Sequence, residues 1–326
     1  MAWPTWRQAM EHALYGPEGF FRRERPADHF RTSVHAGELF ATAIGRLADE
    51  CGAGTVVDIG AGSGELLTAL AKDKLELDLL AVELAARPPG LPAAIGWVPE
   101  LPVEVGPALV IANEWLDNIP VEVIEVDGDG RPRIVHVEPA TGAETLGDPV
   151  GGADAEWLAT WWPLHGAEPG FRAEVGRARD SAWAGVVTKV RRAVLVAIDY
   201  SHTRDDRPPY GSLAAYQDGR SVRPIPDGTR DLTAHVALDS CAAAGEAAGA
   251  TGTVLTTQGH ALRRLGIDAG LPPRELATSD PPAYVEALSR ASQAAELVDK
   301  AGLGGFTWLV QAVGTQLPAV LASPGR

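Results

Sequence analysis

The sequence predicts an α/β protein in which a mostly parallel sheet carries helices on both faces. A short apolar run at 56–59 leads through a glycine-rich turn directly into helix-forming residues at 65–70. Further apolar runs at 77–82, 108–112 and 193–198 have the length and content of buried strands. A strand, a glycine turn and a helix in this order are typical of a nucleotide-type site in an open α/β sheet, where ligands bind at the carboxyl ends of strands.

The composition excludes several classes of function. With 326 residues, of which 45% are apolar, the chain can form one large domain or two modest ones. The formal charge of -15 argues against a nucleic-acid partner, because phosphates require a basic surface. Cys51 and Cys241 are the only cysteines, so neither a disulfide framework nor a metal site is expected. No apolar run approaches about 18 residues, so we expect a cytoplasmic protein without membrane insertion.

Residues 1–50 are expected to form an N-terminal helical segment that covers the ligand cleft of a domain at 51–326. Thr5 can cap a first helix that ends near residue 14, and a turn with an aromatic pair follows at 15–21. A polar loop is expected from there to residue 31.

A second helix is expected to begin after Thr32 and Ser33, which can cap it, and to run towards Leu47. The apolar residues of this stretch share one face of the helix, since they recur at helical spacing. That face should cover one edge of the sheet or the ligand cleft. The part around Leu39 and Phe40 could equally form the contact of a homodimer.

The spacing of the glycine turn narrows the choice of ligand. A dinucleotide-binding turn needs glycine three residues after its second glycine, where this chain has Glu65. The spacing Asp-x-Gly-x-Gly-x-Gly instead resembles the first motif of class I S-adenosylmethionine methyltransferases, in which the glycines let the methionine part of the cofactor lie against the loop. A glycine-rich turn without any ligand is the alternative. The candidate cofactor-binding residues of the turn are Asp58, Gly60, Ala61, Gly62 and Gly64.

A carboxylate follows the second predicted strand. Glu83 directly follows the run at 77–82, so it should lie at the tip of the strand next to the glycine turn. In such folds a carboxylate at this point accepts hydrogen bonds from two ribose hydroxyls. The alternative is a solvated loop carboxylate. The third strand is only weakly indicated, at 95–98.

Polar residues also follow the strand at 108–112, whose carboxyl end should lie at the same edge of the sheet. Asn113 and Glu114 come first and are candidates for cofactor binding, and Glu114 and Asp117 are candidates for catalysis. The alternative is purely structural, with Asn113 as a helix cap and the acidic residues in a first helical turn.

The rest of the chain is expected to return to the sheet between two insertions, at about 121–190 and 202–230. In the first, alternating apolar residues on both sides of 127–130 predict a β-hairpin, and 140–155 should be a loop. The second is expected to be a long surface loop and is a candidate lid or substrate loop. Four tryptophans in the largely helical stretch before 190 should form the core of a helical cap: Trp157, Trp161, Trp162 and Trp183.

The last part of the chain should complete the domain. Asp231 can cap a helix that runs to about Ala248. The remaining predicted elements are a strand at 252–257, a short helix at 258–265, a long helix at 282–297 and a closing strand at 305–313.

Four separated stretches together resemble one family, the MidA-like methyltransferases, which include assembly factors of mitochondrial respiratory complex I. Residues 15–21 are similar to its Leu-Tyr-x-Pro-x-x-Gly-Tyr-Tyr opening, one residue shorter. Residues 111–121 resemble its Ala-Asn-Glu-Phe-x-Asp-Ala-Leu-Pro-Val segment, and 197–200 resemble its Ile-Asp-Tyr-Gly strand end. Residues 231–236, followed by 257–259, match its late helix and strand.

This resemblance implies a Rossmann-like class I methyltransferase fold, S-adenosyl-L-methionine as the cofactor and methylation of a protein arginine. The chain departs from the family pattern in two places. Val34 and His35 stand where the family has Pro-Glu, and Asp58 stands where a Glu is usual. An acidic residue lost near the cleft bears on the substrate more than on the cofactor.

We therefore expect a methyltransferase that acts on a protein or peptide, with Glu114 and Asp117 forming a forked carboxylate site for an arginine guanidinium. If the acceptor atom is an oxygen, a base such as His235 or His35 is needed instead. Two other functions remain open: a small-molecule O- or N-methyltransferase of specialised metabolism, and a non-catalytic assembly or chaperone module that keeps the fold.

Overall fold

The computed structural model describes residues 3–23, 33–35 and 38–321. Several predictions fall elsewhere: most of the polar loop before residue 31, the cap at Thr32 and the start of the second helix at Ala36 lie outside the described residues, as does the side chain of His35. The chain forms two compact units. We call the first the sheet unit; it comprises Arg31–Asn113, Lys189–Ile198 and Ala250–Arg326. We call the second the accessory unit; it comprises Met1–Phe30, Glu114–Thr188 and Asp199–Gly249.

The helices of the described residues are α1 (Trp6–Tyr15), α2 (Phe20–Arg23), α3 (Glu38–Cys51), α4 (Glu65–Asp73), α5 (Gly152–Trp161), α6 (Arg177–Thr188), α7 (Leu238–Ala247), α8 (Gln258–Arg264), α9 (Leu276–Ser279) and α10 (Pro281–Val298). The strands there are β1 (Thr55–Ile59), β2 (Asp78–Val82), β3 (Ile95–Val98), β4 (Ala108–Asn113), β5 (Glu122–Val126), β6 (Pro132–Val137), β7 (Glu144–Pro149), β8 (Arg172–Val175), β9 (Ala193–Asp199), β10 (Ser201–His202), β11 (Ala214–Gln217), β12 (Arg220–Val222), β13 (Asp231–Thr233), β14 (Val236–Ala237), β15 (Gly252–Thr257) and β16 (Thr307–Val313).

The sheet unit contains a seven-stranded sheet in the order β15-β16-β9-β4-β1-β2-β3. β1 lies at its centre, between β4 and β2, and the pairs from β9 across to β3 are parallel. β15 and β16 pair antiparallel. The mostly parallel, helix-flanked sheet predicted from the sequence is confirmed, including the weakly indicated third strand. The carboxyl ends of β1, β2 and β4 meet at one edge, which is where ligands bind in such sheets.

The apolar face of α3 packs into the core of the sheet unit. Phe40, Ile44 and Leu47 are fully buried in the same cluster as Val56 of β1 and Leu109 of β4. Burying a side chain of this size stabilises a fold by about 1.5–3 kcal/mol. The expectation that this helix covers the sheet is therefore right. The alternative of a dimer contact through Leu39 and Phe40 is wrong, because the chain's own core already covers both residues.

The accessory unit is built on a four-stranded antiparallel sheet in the order β7-β6-β5-β8, which contains the predicted hairpin. α1 packs on it as an amphipathic helix, with Trp6, Met10 and Leu14 buried in one cluster with residues of β5 and β6. Its start follows the predicted cap. The Thr5 hydroxyl accepts from the Gln8 N–H, and the Gln8 side chain accepts from the Thr5 N–H at 3.1 Å.

Parts of the insertions were predicted incorrectly. The stretch 140–155 is not only a loop, since it contains β7 and the start of α5, and the stretch taken as largely helical contains β8 between its two helices. The segment 202–230 contains β11 and β12. These strands are short, and two of them have a partner that is not the neighbouring strand in the chain: β8 pairs with β5, and β11 pairs with β13. Trp157 and Trp162 are buried in one core cluster, and Trp183 is fully buried, so the prediction for these side chains is confirmed.

The helix predicted from Asp231 is also wrong in its first half, where β13 and β14 precede α7. Leu232, Ala234 and Val236 are fully buried, whereas Thr233 is half-buried and His235 is exposed. This alternation has the period of a strand. Asp231 is not a helix cap: its side chain is buried and accepts from the Asn118 amide at 2.9 Å. Within the residues that the structure describes, no helix is long and apolar enough to cross a membrane.

Candidate active site

The turn after β1 requires glycine at all three predicted positions. Gly60, Gly62 and Gly64 have φ values of 70°, 59° and 85°, which L side chains rarely adopt. At Gly64 a Cβ would also lie 2.7 Å from the Leu91 Cδ1. Among the residues that the structure describes, the Glu65 carboxylate alone comes within 4 Å of the Cβ position at Gly62, so a ligand can approach the backbone on that side. α4 begins directly after the turn.

Glu83 is fixed against this turn. Its Oε2 accepts from the Gly62 N–H at 3.0 Å, and its Oε1 accepts from the Ala85 N–H at 2.9 Å. The Gly60 N–H donates to the Val82 carbonyl at 2.9 Å, which extends the pairing of β1 and β2 into the turn. Glu83 is half-buried. Both of its oxygens are therefore held in place by backbone donors, unlike those of a freely solvated loop carboxylate.

Asp58 lies below the turn, almost completely buried at the end of β1. Its burial, together with the charges of Glu65 and Glu83, raises the pKa of Asp58 to about 8. Asp58 is therefore mainly protonated at neutral pH, and its acid can donate a hydrogen bond where a carboxylate could only accept. Ala61 is buried within the turn.

These residues fit the adenosylmethionine cofactor that the motif implies. Gly60 is exposed and Gly62 is half-buried, so the turn offers accessible backbone without a Cβ at these two positions, and Glu83 brings a paired-oxygen acceptor suited to the two hydroxyls of a ribose. The structure brings together the five predicted residues of the turn and Glu83 in the sheet unit. Asn113 is half-buried at the end of β4, where it pairs with Ile198 of β9.

Glu114 has a strained backbone. Its φ is 51°, in the left-handed region that is rare for residues other than glycine. Such a conformation costs about 1–2 kcal/mol and is concentrated at functional sites. Glu114 is half-buried and is the first residue of the accessory unit, directly after Asn113 in the chain.

Glu114 belongs to a cluster of four acidic residues in the accessory unit. It consists of Glu114, Asp117, Asp199 and Asp231. Burial, then the charge of Asp117 and then that of Glu114, hold the pKa of both Asp199 and Asp231 well above the usual range. The pKa of Asp117 is also raised, because burial outweighs opposing effects. A hydrogen bond from Thr233 and the charge of Arg179 both lower it.

His235 lies beside this cluster. Its ring stacks on that of Tyr200, with the ring centroids 5.7 Å apart and the planes 16° apart. Burial among neighbouring protein atoms lowers the pKa of His235, although part of the residue is exposed. The three predicted catalytic residues, Glu114, Asp117 and His235, thus belong to one region of the accessory unit. Asp117 itself is buried.

Sequence reasoning missed three members of this region. Asp199 follows a strand that was predicted correctly, so the rule that placed Glu83 and Asn113 at strand ends could have found it. Asp231 was taken for a helix cap. Arg179 gave no signal, because it resembles an ordinary charged residue of a surface helix, yet its side chain is buried.

Comparisons with known proteins identify the family. Residues 78–256, more than half of the chain, match a protein family described as "Putative S-adenosyl-L-methionine-dependent methyltransferase". A protein from Burkholderia thailandensis, crystallised with S-adenosyl-homocysteine, is 26% identical, with a TM-score of 0.78 over 98% of this chain and 90% of its own. The native crystal structure of an uncharacterised protein from the same organism gives the same identity and TM-score, over 99% of this chain and 90% of its own.

No curated protein matches the chain. The family match and the similarity to a structure with bound S-adenosyl-homocysteine agree with the glycine turn. The chain therefore belongs to this family of S-adenosyl-L-methionine-dependent methyltransferases, as its MidA-like motifs predict.

Proposed function

We propose that this methyltransferase transfers the methyl group to a nitrogen atom of a cationic protein or peptide side chain, with arginine as the favoured acceptor. The observation that carries the proposal is the acidic cluster around Glu114. Acidic groups this close together raise one another's pKa, and a cationic acceptor relieves their mutual repulsion, whereas a carboxylate acceptor adds to it. The resemblance to the MidA-like family favours arginine among the possible cations.

In this proposal the residues of the sheet unit bind the methyl donor. Glu83 accepts hydrogen bonds from the ribose hydroxyls, while Gly62 leaves room for the methionine part beside the backbone of the turn. Asp58 is protonated at neutral pH, so it adds no second negative charge next to Glu83. When bound, the donor would supply a methyl group activated by its bond to a positively charged sulfur, and the electrons of that bond would stay on sulfur after the transfer. Most of the catalysis in such a displacement comes from positioning.

Glu114 is the residue that we propose to contact the acceptor. It is half-buried, so it can meet a ligand, whereas Asp117 is buried and supports it from within the accessory unit. The neighbouring Tyr200 is 44% exposed, and its ring adds a surface on which a planar guanidinium can stack. As the nitrogen takes the methyl group it must lose a proton, which the Glu114 carboxylate can accept.

One observation favours a second candidate, a hydroxyl acceptor on a small molecule. Because its pKa is lowered, His235 is neutral at physiological pH and is chemically able to act as a general base. A hydroxyl acceptor would need such a base, whereas a guanidinium held by carboxylates would not.

Labelled methyl transfer separates these possibilities. The protein is incubated with methyl-labelled S-adenosylmethionine and a cell lysate, and the label is measured separately in the protein and small-molecule fractions. We expect label in the protein fraction, on arginine after hydrolysis, and a loss of at least about 100-fold for Glu114→Gln. Glu156→Gln changes an exposed glutamate of α5 and serves as the matched control.

Label confined to small molecules would replace the protein acceptor by the second candidate. If neither fraction is labelled although the protein binds S-adenosyl-homocysteine, the chain is a non-catalytic module, and the proposal fails.

A further inference from the structure

A cavity of about 240 Å³ lies within the accessory unit, away from the residues proposed to bind the donor and the acceptor nitrogen. It is smaller than the pockets of about 300–1,000 Å³ that enclose drug-sized ligands, so its size suits one side chain or a group of similar size. The polar and aromatic side chains in its wall are Trp6, Glu144, Arg172, Glu174, Tyr210 and Arg223.

Two glycines let the walls of this cavity come close to one another. Gly142 and Gly211 have φ values of 65° and 72°, in the region that L side chains rarely adopt. A Cβ at Gly142 would lie 2.7 Å from the Pro224 carbonyl oxygen, and a Cβ at Gly211 would collide with the Glu174 carboxylate. The shape of the cavity is therefore set by the fold of the backbone around it.

The charge of one guanidinium in the wall is balanced by the protein itself. Arg172 donates to Glu144 at 2.6 Å and forms an ion pair with Glu125 at 3.0 Å. The other oxygen of Glu144 accepts from the Trp6 indole N–H at 2.6 Å. Both oxygens of Glu144 are thus engaged, which leaves this carboxylate little capacity to accept a hydrogen bond from a ligand.

Glu174, the second carboxylate in the wall, is engaged in the same way. Its Oε1 accepts from the N–H groups of Ser212 and Leu213 at 2.9 and 3.2 Å, and its Oε2 accepts from the Ser212 hydroxyl at 3.1 Å. The Ser212 hydroxyl in turn accepts from the His235 N–H at 2.9 Å. One hydroxyl therefore connects the wall of the cavity to His235, whose ring stacks on Tyr200 in the region proposed to hold the acceptor.

Arg223 differs from these groups, because its charge is not balanced by any ion pair in the part of the chain that the structure describes. Its Nη2 donates to the Gly142 carbonyl oxygen at 2.9 Å. A guanidinium has five N–H donors, so most of those of Arg223 are left for a ligand. Arg223 is exposed, and the neighbouring Tyr210 is 67% exposed, so a ligand can reach both from solvent. The cavity thus offers donors in excess of acceptors.

We propose that this cavity binds a carboxylate of the methyl acceptor, on an acidic side chain close in sequence to the methylated residue. The planar fork of Arg223 matches a carboxylate, which can accept two parallel hydrogen bonds from it. The two guanidiniums and two carboxylates in the wall balance in charge, so an added carboxylate meets no net repulsion there. A cationic ligand would find both carboxylates already engaged and the charge of Arg223 facing it.

The assignment of this carboxylate to the acceptor rests on the proposed function. An extended peptide advances by about 3.3 Å per residue, and one serine hydroxyl separates Glu174 from the backbone of His235. A side chain a few residues from the methylated one can therefore reach the cavity. The site would then select acceptors that carry an acidic residue near the target.

Calorimetry with small probes tests the cavity without any methyl transfer. The probes are N-acetyl-L-glutamic acid α-amide, which carries a side-chain carboxylate, and N-acetyl-L-glutamine α-amide, its neutral isostere. We expect saturable binding of the glutamate probe and binding of the glutamine probe at least about 10-fold weaker, because the hydrogen bonds to it lack the charge. Tm measured for each variant confirms that it is folded.

Two variants identify the group that binds the probe. Arg223→Gln should weaken the binding of the glutamate probe by at least about 10-fold. Arg220→Gln changes an exposed arginine of β12 outside the cavity wall, and it should bind the probe like the native protein. Absence of saturable binding, equal affinity for the two probes, or native affinity in Arg223→Gln would each overturn the proposal.

A second measurement tests whether the bound carboxylate belongs to the acceptor. Added to the labelled lysate reaction, the glutamate probe should lower the labelling of the protein fraction by the native protein, and should lower it less for Arg223→Gln. Labelling that a saturating concentration of the probe leaves unchanged would show that the cavity does not serve the acceptor. Absence of any labelled protein would instead contradict the proposed function, and the calorimetry would still decide whether the cavity binds a carboxylate.

Discussion

The Gly62 N–H donates a 3.0 Å hydrogen bond to the Glu83 carboxylate. This contact joins the turn after β1 to the residue that follows β2, so the two parts of the donor site are connected before any ligand arrives. A preformed site loses little conformational entropy on binding, which favours affinity. The same contact means that a change at either residue disturbs the other.

Glu83→Gln should weaken the binding of S-adenosyl-homocysteine by about 10- to 100-fold, as expected for loss of a charge-assisted hydrogen bond of about 1.5–3 kcal/mol. The amide keeps one acceptor oxygen, so the turn should remain folded. Isothermal titration calorimetry gives the Kd directly. Glu50→Gln, at an exposed position near the end of α3, should bind like the native protein. Native affinity in Glu83→Gln would remove Glu83 from the donor site.

Gly62→Val should abolish saturable binding of S-adenosyl-homocysteine. The matched control is Gly130→Val, in the hairpin between β5 and β6. Both glycines have positive φ, at 59° and 77°, and at Gly130 no atom of the described residues lies within 4 Å of the Cβ position. Each substitution should therefore cost about 1–2 kcal/mol of backbone strain, but only the first should lose binding. Equal loss of binding in both would mean that destabilisation, rather than obstruction of the site, is the cause.

The sheet could be predicted because its strands carry their own signal. The runs that became β4 and β9 are apolar throughout, as expected for strands covered on both faces, and their ends mark the edge where ligands bind. The short strands of the accessory unit lack this signal. In β13 and the residue after it, Leu232 and Ala234 alternate with polar neighbours, but this signal was outweighed by the cap-like Asp231 and the alanine-rich stretch that follows.

Some of the candidate site residues could be proposed from the sequence because they follow recognisable strands. Glu83 and Glu114 belong to that class. Arg179 does not, because its partners are carbonyl oxygens of residues about 60 positions before it and 55 or more after it, and no local pattern marks such contacts. The raised pKa values of Asp199 and Asp231 likewise arise from burial and from neighbours that only the fold brings together.

Asp58→Asn should remove the loss of folding stability that the native protein suffers as the pH rises and Asp58 ionises. Burial and the charges of Glu65 and Glu83 raise the pKa of Asp58 to about 8 in the folded protein, against 3.8 for an aspartic acid in water. The stability that depends on the protonated acid is therefore complete below pH 3.8 and is lost progressively as the pH rises to about 8. This loss in the free energy of unfolding is on the order of 5 kcal/mol.

An asparagine at this position resembles the protonated acid and does not ionise. The Tm of Asp58→Asn should therefore exceed that of the native protein by an amount that grows from pH 5 to pH 8, by roughly 10 °C (both pH limits are experimental choices). Differential scanning calorimetry at matched ionic strength measures this difference. A difference that stays constant with pH would show that Asp58 is ionised throughout this range in the folded protein.

His235→Gln should reduce methyl transfer to the protein fraction by less than about 10-fold, because a cationic acceptor held by Glu114 needs no imidazole base. Burial lowers the pKa of His235 from its ordinary value, so its ring is neutral between pH 7 and 8 and the substitution should leave the pH dependence of the rate in that range unchanged. If His235 is instead the base for a hydroxyl acceptor, the loss should reach about 100- to 10,000-fold. Comparing initial rates for His235→Gln and Glu114→Gln on the same labelled fraction therefore identifies which of the two residues takes the proton of the acceptor, and with it the chemical class of the acceptor atom.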